Sequence, residues 1–320
     1  MKNVLVIGAA GQIGTELVAT LRADDRFGTI VAGHTTRTPL PDSLLQSGPC
    51  ECVDILDARR IAEVVKTYNV DTIYNLAALL SATAESKPLA AWNVGVNGLI
   101  NTLEVARELG CAVFTPSSIG VFGPETPAVM TPQDTVCRPK TVYGITKVTG
   151  ELLSDYYFHK YGVDTRSVRY PGLISHETPP GGGTTDYAVE IFYSAVKGET
   201  YACPIAAGTF MDMAFMSDAI DAAVNLMLAD PQRLKHRNSF NVTAMSFDPE
   251  MLAAEIRKRK PDFSMRYAVD PLRQSIASSW PDAMDDSCAR EEWGWQPKIG
   301  LSEMVDIMLS ALEKKGAGAL

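Results

Sequence analysis

The opening of the chain constrains its fold more than any other stretch. Residues 3–7 form a continuous apolar run of the kind found in a parallel strand buried on both faces, and the run stops at Gly8-Ala-Ala-Gly11-Gln12-Ile13-Gly14. A helical pattern follows through Leu17 and Leu21. Strand, glycine turn and helix in that order open a doubly wound α/β unit. The glycines let the backbone turn sharply and approach a pyrophosphate, whose charge is stabilised by the N–H groups and dipole of the helix N-terminus. The Gly-x-x-Gly-x-x-Gly spacing differs from the Gly-x-Gly-x-x-Gly of simple dinucleotide folds. Gly8, Gly11, Gln12, Ile13 and Gly14 are therefore expected to hold a nucleotide.

The chain behind that turn is long enough for a large core. Its 320 residues are 46% hydrophobic and 21% charged, which suits two lobes or one large α/β unit. A net charge of −9 with no basic block argues against nucleic-acid and anionic-membrane partners. No apolar run approaches the roughly 18 residues of a membrane span. The first residues enter a strand pattern at once, so no signal or transit segment is expected in this stretch. Six cysteines form no Cys-x-x-Cys pair, and four histidines are scattered without ligand spacing. The expectation is reduced thiols in a reducing intracellular compartment, cytoplasm or mitochondrial matrix, and no metal.

Further along, a strand at 30–32 should end near the adenosine ribose, where NAD enzymes usually carry a carboxylate for the 2′-hydroxyl. Here the position reads Gly33-His34-Thr35-Thr36-Arg37. Arg37 is able to accommodate a 2′-phosphate, so NADP stays open beside the favoured NAD, and a solvated loop is the plain alternative. A strand at 50–53 leads to Asp54 and Ile55, placed to accept from the adenine amino group and to pack beside its ring. Asp57 reads as the N-cap of the next helix. The strand at 72–76 ends in Leu76-Ala77-Ala78, whose small residues let a cofactor pass closely. Ser81 lies one turn further out, either at a substrate or on a plain loop.

A helix at 92–109 and a strand at 112–115 precede Pro116-Ser117-Ser118-Ile-Gly-Val-Phe122-Gly123. Twenty-five residues after Ser118 comes Tyr143-Gly-Ile-Thr-Lys147. A spacing of four puts phenol and ammonium on one helix face, and a cation beside a phenol favours the phenolate, a usable proton acceptor. Chance alone also produces Tyr-x-x-x-Lys, so the preceding motifs decide its meaning. Glycine triplet, Ser-Ser-x-x-Val-aromatic-Gly and Tyr-x-x-x-Lys in this order resemble the extended short-chain dehydrogenase/reductase superfamily over about the first 175 residues. That resemblance implies a Rossmann fold with a smaller C-terminal substrate-binding domain. It makes Ser118 the hydrogen-bonding partner of the reacting hydroxyl, Tyr143 the acid/base and Lys147 its electrostatic support and the ligand of the nicotinamide ribose. Ser117 is left a structural role.

A strand at 165–169 ends in Tyr170-Pro171-Gly172-Leu173-Ile174, whose backbone is expected to face the nicotinamide carboxamide. The segment Pro179-Pro-Gly181-Gly-Gly183-Thr184-Thr185-Asp186-Tyr187 then resembles the substrate loop of short-chain L-threonine 3-dehydrogenases, as do Ser279-Trp280-Pro281 and Trp293-Gly-Trp295. By this narrower resemblance Ser81, Gly183, Thr184, Thr185, Asp186 and Trp280 join Ser118 and Tyr143 around a small amino acid. Physically, three glycines permit a mobile turn, threonine hydroxyls suit a carboxylate, and Asp186 offers a counter-charge for an ammonium. The plain alternative is a connector whose Thr185-Asp186 caps the helix starting near Tyr187.

Helices are expected at 189–196, 216–228, 251–258 and 302–312, strands at 240–242 and 265–269, and a frayed tail from Lys314. Residues 210–215 hold Phe-Met-Asp-Met-Ala-Phe where nucleotide-sugar enzymes tend to carry Arg-x-Phe-x-His-Val-x-Asp. Without the arginine and histidine a sugar pyrophosphate lacks cationic partners. The expected cofactor domain takes 1–174 and about 213–243, and the substrate-binding cap takes 175–212 and about 244–320. By resemblance, helices 92–109 and 143–161 form a homodimer interface. The activity implied is NAD-dependent oxidation of L-threonine; a nucleotide-sugar epimerase or dehydratase and a non-catalytic dinucleotide sensor are the alternatives.

Overall fold

Six parallel strands organise the computed structural model, which describes residues 2–181 and 183–317. They are β1 (Lys2–Ile7), β2 (Phe27–His34), β3 (Cys50–Cys52), β4 (Thr72–Asn75), β5 (Ala112–Phe114) and, beyond a two-residue β6 (Ser117–Ser118), β7 (Thr165–Arg166). The order β3-β2-β1-β4-β5-β7 reverses direction between β1 and β4, and a crevice opens there at the strands' C-terminal ends. The crossovers use α1 (Gln12–Arg22), α2 (Asp42–Ser47), α3 (Ala58–Thr67), α4 (Ser81–Ser86), α5 (Pro88–Trp92), α6 (Gly98–Leu109) and α7 (Val142–Tyr161).

Strand β1 shows why the sheet is covered on both sides. Val4 and Val6 face one core with Leu17, Val18 and Leu21, while Leu5 and Ile7 face another with Ile61, Val64, Leu99 and Leu103. The apolar run thus feeds two helix layers by simple alternation. Asp57 caps α3 as expected, its side chain accepting from Arg60 N–H. The expected helix at 92–109 begins earlier, at Pro88, and carries a π-turn at Asn93–Asn97 between α5 and α6.

One expected strand is two. At 165–169 the chain leaves the six-stranded sheet after β7, bends at Ser167 and resumes as β8 (Val168–Tyr170) in a ribbon with β6. The bend has a cause: Ser167 N–H donates to Arg237 O (3.4 Å) and its Oγ accepts from Ser239 N–H (2.6 Å), so its polar groups go to the 237–239 loop.

The rest of the chain adds β9 (Gly172–Ile174), α8 (Tyr187–Lys197), β10 (Tyr201–Cys203), β11 (Met211–Phe215), α9 (Met216–Leu228), β12 (Phe240–Asn241), β13 (Met245–Phe247), α10 (Pro249–Arg257), β14 (Met265–Tyr267), α11 (Pro271–Ala277), α12 (Ser287–Trp293) and α13 (Leu301–Ala317). β12 joins the β6/β8 ribbon, and α9 packs back on the first core. β9, β11 and β13 form a small sheet over a separate core of α8, α10 and α13 side chains, among them Phe192, Leu252, Ile256 and Met308. β9 and β11 lie where no strand was expected from the sequence, because three- and five-residue strands buried in a mixed sheet leave no alternation to read. The expected fraying from Lys314 is also corrected. α13 continues through Ala317, with Lys315 Nζ donating to His176 O (2.7 Å); residues 318–320 and Gly182 of the glycine run lie outside the described residues. No described helix is long and apolar enough to cross a membrane.

Candidate active site

A cavity of about 410 Å3 opens at the β1/β4 crevice and reaches the loop before α8. At one end stands the glycine turn. Gly8 has φ +87°, and a Cβ there would lie 3.1 Å from the Leu76 and Ala77 backbone. A Cβ on Gly14 would meet Gly8 O at 2.3 Å, so the turn closes only without side chains. Gly11 N–H bonds back to Gly8 O (3.0 Å), and the first helical bond of α1 is Thr15 N–H to Gly11 O (2.9 Å). Gln12, Ile13 and Gly14 therefore form the open first turn of a helix with no side-chain cap, and they line the cavity with Leu76 and Ala78. This cradle fits a pyrophosphate, being positive through its dipole and too tight for side chains. Ala77 lines a smaller cavity just behind.

Four residues expected at the adenosine end lie outside the cavity lining. His34 ends β2 and keeps Nδ1 3.2 Å from Thr35 O. Arg37, whose side chain is 82% exposed, sits 3.5 Å from Asp54 Oδ2. Asp54 Oδ1 also accepts from Leu56 N–H (3.0 Å). Ile55 is buried against Gly98, where a Cβ would approach its Cγ1 to 2.6 Å.

Ser118, Tyr143 and Lys147, the expected acid–base residues, all line this cavity. Thr141 Oγ1 caps α7 by accepting from Gly144 N–H (3.1 Å), and a Cβ on Gly144 would lie 2.2 Å from Gly120 O. Helix α7 is thereby pressed onto the turn that follows Ser118. A Cβ on Gly120 would lie 3.1 Å from Tyr143 Cδ1 and Cε1 and 3.4 Å from Ser118 Oγ, so ring and hydroxyl crowd the same glycine. Ser118 Oγ accepts from Gly120 N–H (3.1 Å), which leaves its O–H to donate. Lys147 Nζ lies 5.6 Å from the Tyr143 ring centroid and gives one of its three N–H donors to Pro116 O (2.7 Å). Tyr170, Pro171 and Leu173 line the wall beside them.

At the far end Ser81 is no loop serine. It is the first residue of α4, 5% exposed, with Oγ 3.4 Å from Thr184 Oγ1. Thr184–Asp186 form a 3₁₀ turn, and Asp186 Oδ2 accepts from Gly183 N–H (2.8 Å). Thr185 rests on Gly172, where a Cβ would meet its Cγ2 at 2.7 Å. Trp280 lines the same end. Its segment is anchored by Asp212, whose carboxylate accepts from Thr243 Oγ1 (2.6 Å) and Met284 N–H (2.5 Å). Burial pushes the Asp212 carboxyl up to about 7, against the downward pull of those two donors. Sequence reasoning missed Leu80 and Thr178 as lining residues; their nearness to Ser81 and Pro179 was the available signal.

Lys147 is the one cation among the described lining residues. The six cysteines are free thiols. Donor atoms of His236, Cys288 and Glu292 gather within 4.8 Å of one another outside the cavity, but Glu292 is already engaged by the N–H groups of Lys235 and His236 and by the His236 ring.

Comparison with known proteins follows the same outline. An uncharacterized epimerase/dehydratase of Staphylococcus aureus (strain MRSA252) is 53% identical over 316 residues, 98% of each chain. The structure of L-threonine dehydrogenase from Clostridium difficile shares 53% identity at a TM-score of 0.94 over 99% of each chain. A monomeric L-threonine 3-dehydrogenase from a metagenome shares 43% at a TM-score of 0.91, over 98% of this chain and 99% of that one. Residues 4–243 match the NAD dependent epimerase/dehydratase family description. With a Rossmann sheet, a glycine cradle at its switch point and that match over most of its length, the chain belongs to the NAD-dependent epimerase/dehydratase family, and its cofactor is NAD.

Proposed function

We propose that this protein is an L-threonine 3-dehydrogenase, oxidising the β-hydroxyl of L-threonine to give 2-amino-3-oxobutyrate. The observation that carries the reading is the composition of the cavity's far end. Ser81, Thr184, Thr185 and Asp186 meet the acid–base group there, and no lining cation but Lys147 accompanies them among the described residues. Hydroxyls with backbone N–H groups suit a carboxylate, and Asp186 suits an ammonium. NAD, when bound, supplies the hydride acceptor. Tyr143 as phenolate takes the proton of the substrate hydroxyl, Ser118 donates to the same oxygen, and Lys147 stabilises the phenolate. The L-threonine dehydrogenases among the similar structures support this substrate class, while the curated relative at 53% identity carries no assigned substrate.

A nucleotide sugar fits less well. Its pyrophosphate needs cations, whereas the stretch at 211–215 that would supply them is a fully buried strand. The deciding experiment compares NAD with NADP on L-threonine, L-serine and UDP-galactose. NADH should form from L-threonine at mildly alkaline pH, and Tyr143→Phe should lower kcat by roughly 10²–10⁴-fold. Conversion of UDP-galactose with no NADH from L-threonine would overturn the reading. A Tyr143→Phe protein with full turnover would remove Tyr143 from the chemistry.

A further inference from the structure

Glu151 lies one turn beyond Lys147 on α7, and its carboxylate joins three elements. Arg169 of β8 meets it through two parallel bonds, Nε to Oε1 and Nη2 to Oε2, both 2.9 Å. Ser117 Oγ of β6 donates to Oε1 at 2.5 Å. The Arg169 and Glu151 side chains are only 8% and 9% exposed. Arg169 is held further by Gln133 O (2.9 Å) and Asn241 Oδ1 (3.2 Å), and its guanidinium lies 5.1 Å from the Phe122 ring centroid. In the β6/β8 register Ser117 faces Arg169 and Ser118 faces Tyr170.

Burying such a pair is a poor route to stability, because desolvation offsets most of the attraction. Its geometry is another matter. The carboxylate fastens α7 one turn from Lys147 and two turns from Tyr143, to a strand one residue from Ser118 and to another one residue from Tyr170. Lys147 and Glu151 also line one small cavity of about 30 Å3. We propose that Glu151, with Ser117 and Arg169, is the positioning clamp of the acid–base site, setting the separation of Tyr143 and Lys147 on α7 from Ser118 on β6. Glu151 and Arg169 are not among the residues lining the cavity of about 410 Å3, so they act through the residues they hold. The inference rests on the reading of Tyr143 and Ser118 as the reacting pair.

Two arms test it on purified protein with NAD. The first is the crystal structure of Glu151→Gln, which is independent of substrate. Gln keeps an acceptor for Ser117 but loses the ionic bidentate link, and the Tyr143–Ser118 separation should change by about 1 Å. The second arm is steady-state kinetics on L-threonine. A displacement of that size is expected to lower kcat roughly tenfold or more while KM and NAD affinity stay within about twofold, the pattern of a lost transition-state geometry. Ser117→Ala should give a smaller kcat loss in the same direction, and Ser117→Thr, which restores the hydroxyl, should recover it. An unchanged Tyr143–Ser118 separation, or full kcat in a folded Glu151→Gln enzyme, overturns the clamp. Should Glu151→Gln fail to fold, Ser117→Ala decides by the same two readouts. If the parent forms no NADH from L-threonine, only the substrate assignment falls and the crystallographic arm still decides the clamp.

Discussion

A methyl group on Gly14 would lie 2.3 Å from the Gly8 carbonyl oxygen and 2.8 Å from the Ala9 Cα, both backbone atoms of the same turn. Relieving that overlap means opening the cradle, so Gly14→Ala should cost about 1–3 kcal/mol of stability and most of the affinity for NAD. Thermal unfolding and a fluorescence titration with NAD check this against Gly300→Ala, where nothing lies within 4 Å and no change is expected. An NAD affinity equal to the parent's would show that the turn has slack. Glycines of this kind were legible from sequence because their reason is local. Ser81 was not, since its partner Thr184 is 103 residues away and a serine after a strand reads equally as a loop. The Arg37 position was ambiguous for a related reason: its guanidinium meets Asp54, on a turn beyond the next strand, and not the strand it follows.

Elements show the same division. Helix α9 was readable to the residue, whereas β9 and β11 were invisible because short strands packed on both sides carry no period. β11 holds the most perturbed acid of the small sheet. Asp212 keeps its proton in the folded chain up to about pH 7, but an unfolded aspartate releases it near its ordinary 3.8. Between those values the folded state binds more protons than the unfolded one, so stability falls as pH rises through that window and levels off above it. The term is on the order of a few kcal/mol. Asp212→Asn, which cannot ionise, should therefore show a shallower fall in Tm from about pH 4 to 7 than the parent. Parallel Tm curves for the two proteins would remove Asp212 as the source.

At the scale of the molecule, the outer face of α5 and α7 is conspicuously apolar. Leu89, Leu152 and Tyr156 are 81%, 64% and 51% exposed, with Trp92, Ile145 and Tyr161 beside them. We propose that a second copy of the chain covers this face; of the two helices expected at a homodimer interface, 92–109 and 143–161, the second carries most of it and the first contributes Trp92. A monomeric relative of the same fold shows that the fold itself does not demand a dimer. Light scattering should give a dimer for the parent and a monomer for Leu152→Glu. A monomeric parent at micromolar concentration would leave that face another purpose. The bend at Ser167 also has a consequence for how this architecture tolerates change in length. Six consecutive residues, 165–170, serve two sheets, with Arg166 facing the 229 turn and Arg169 reaching Glu151. One inserted residue would reverse the facing of everything beyond it, turning the Arg169 guanidinium out of its ion pair and withdrawing Tyr170 from the cavity. The same insertion in an exposed loop such as 230–233 would shift nothing that meets the reacting atoms. Length is therefore least negotiable at a point that carries no reacting group.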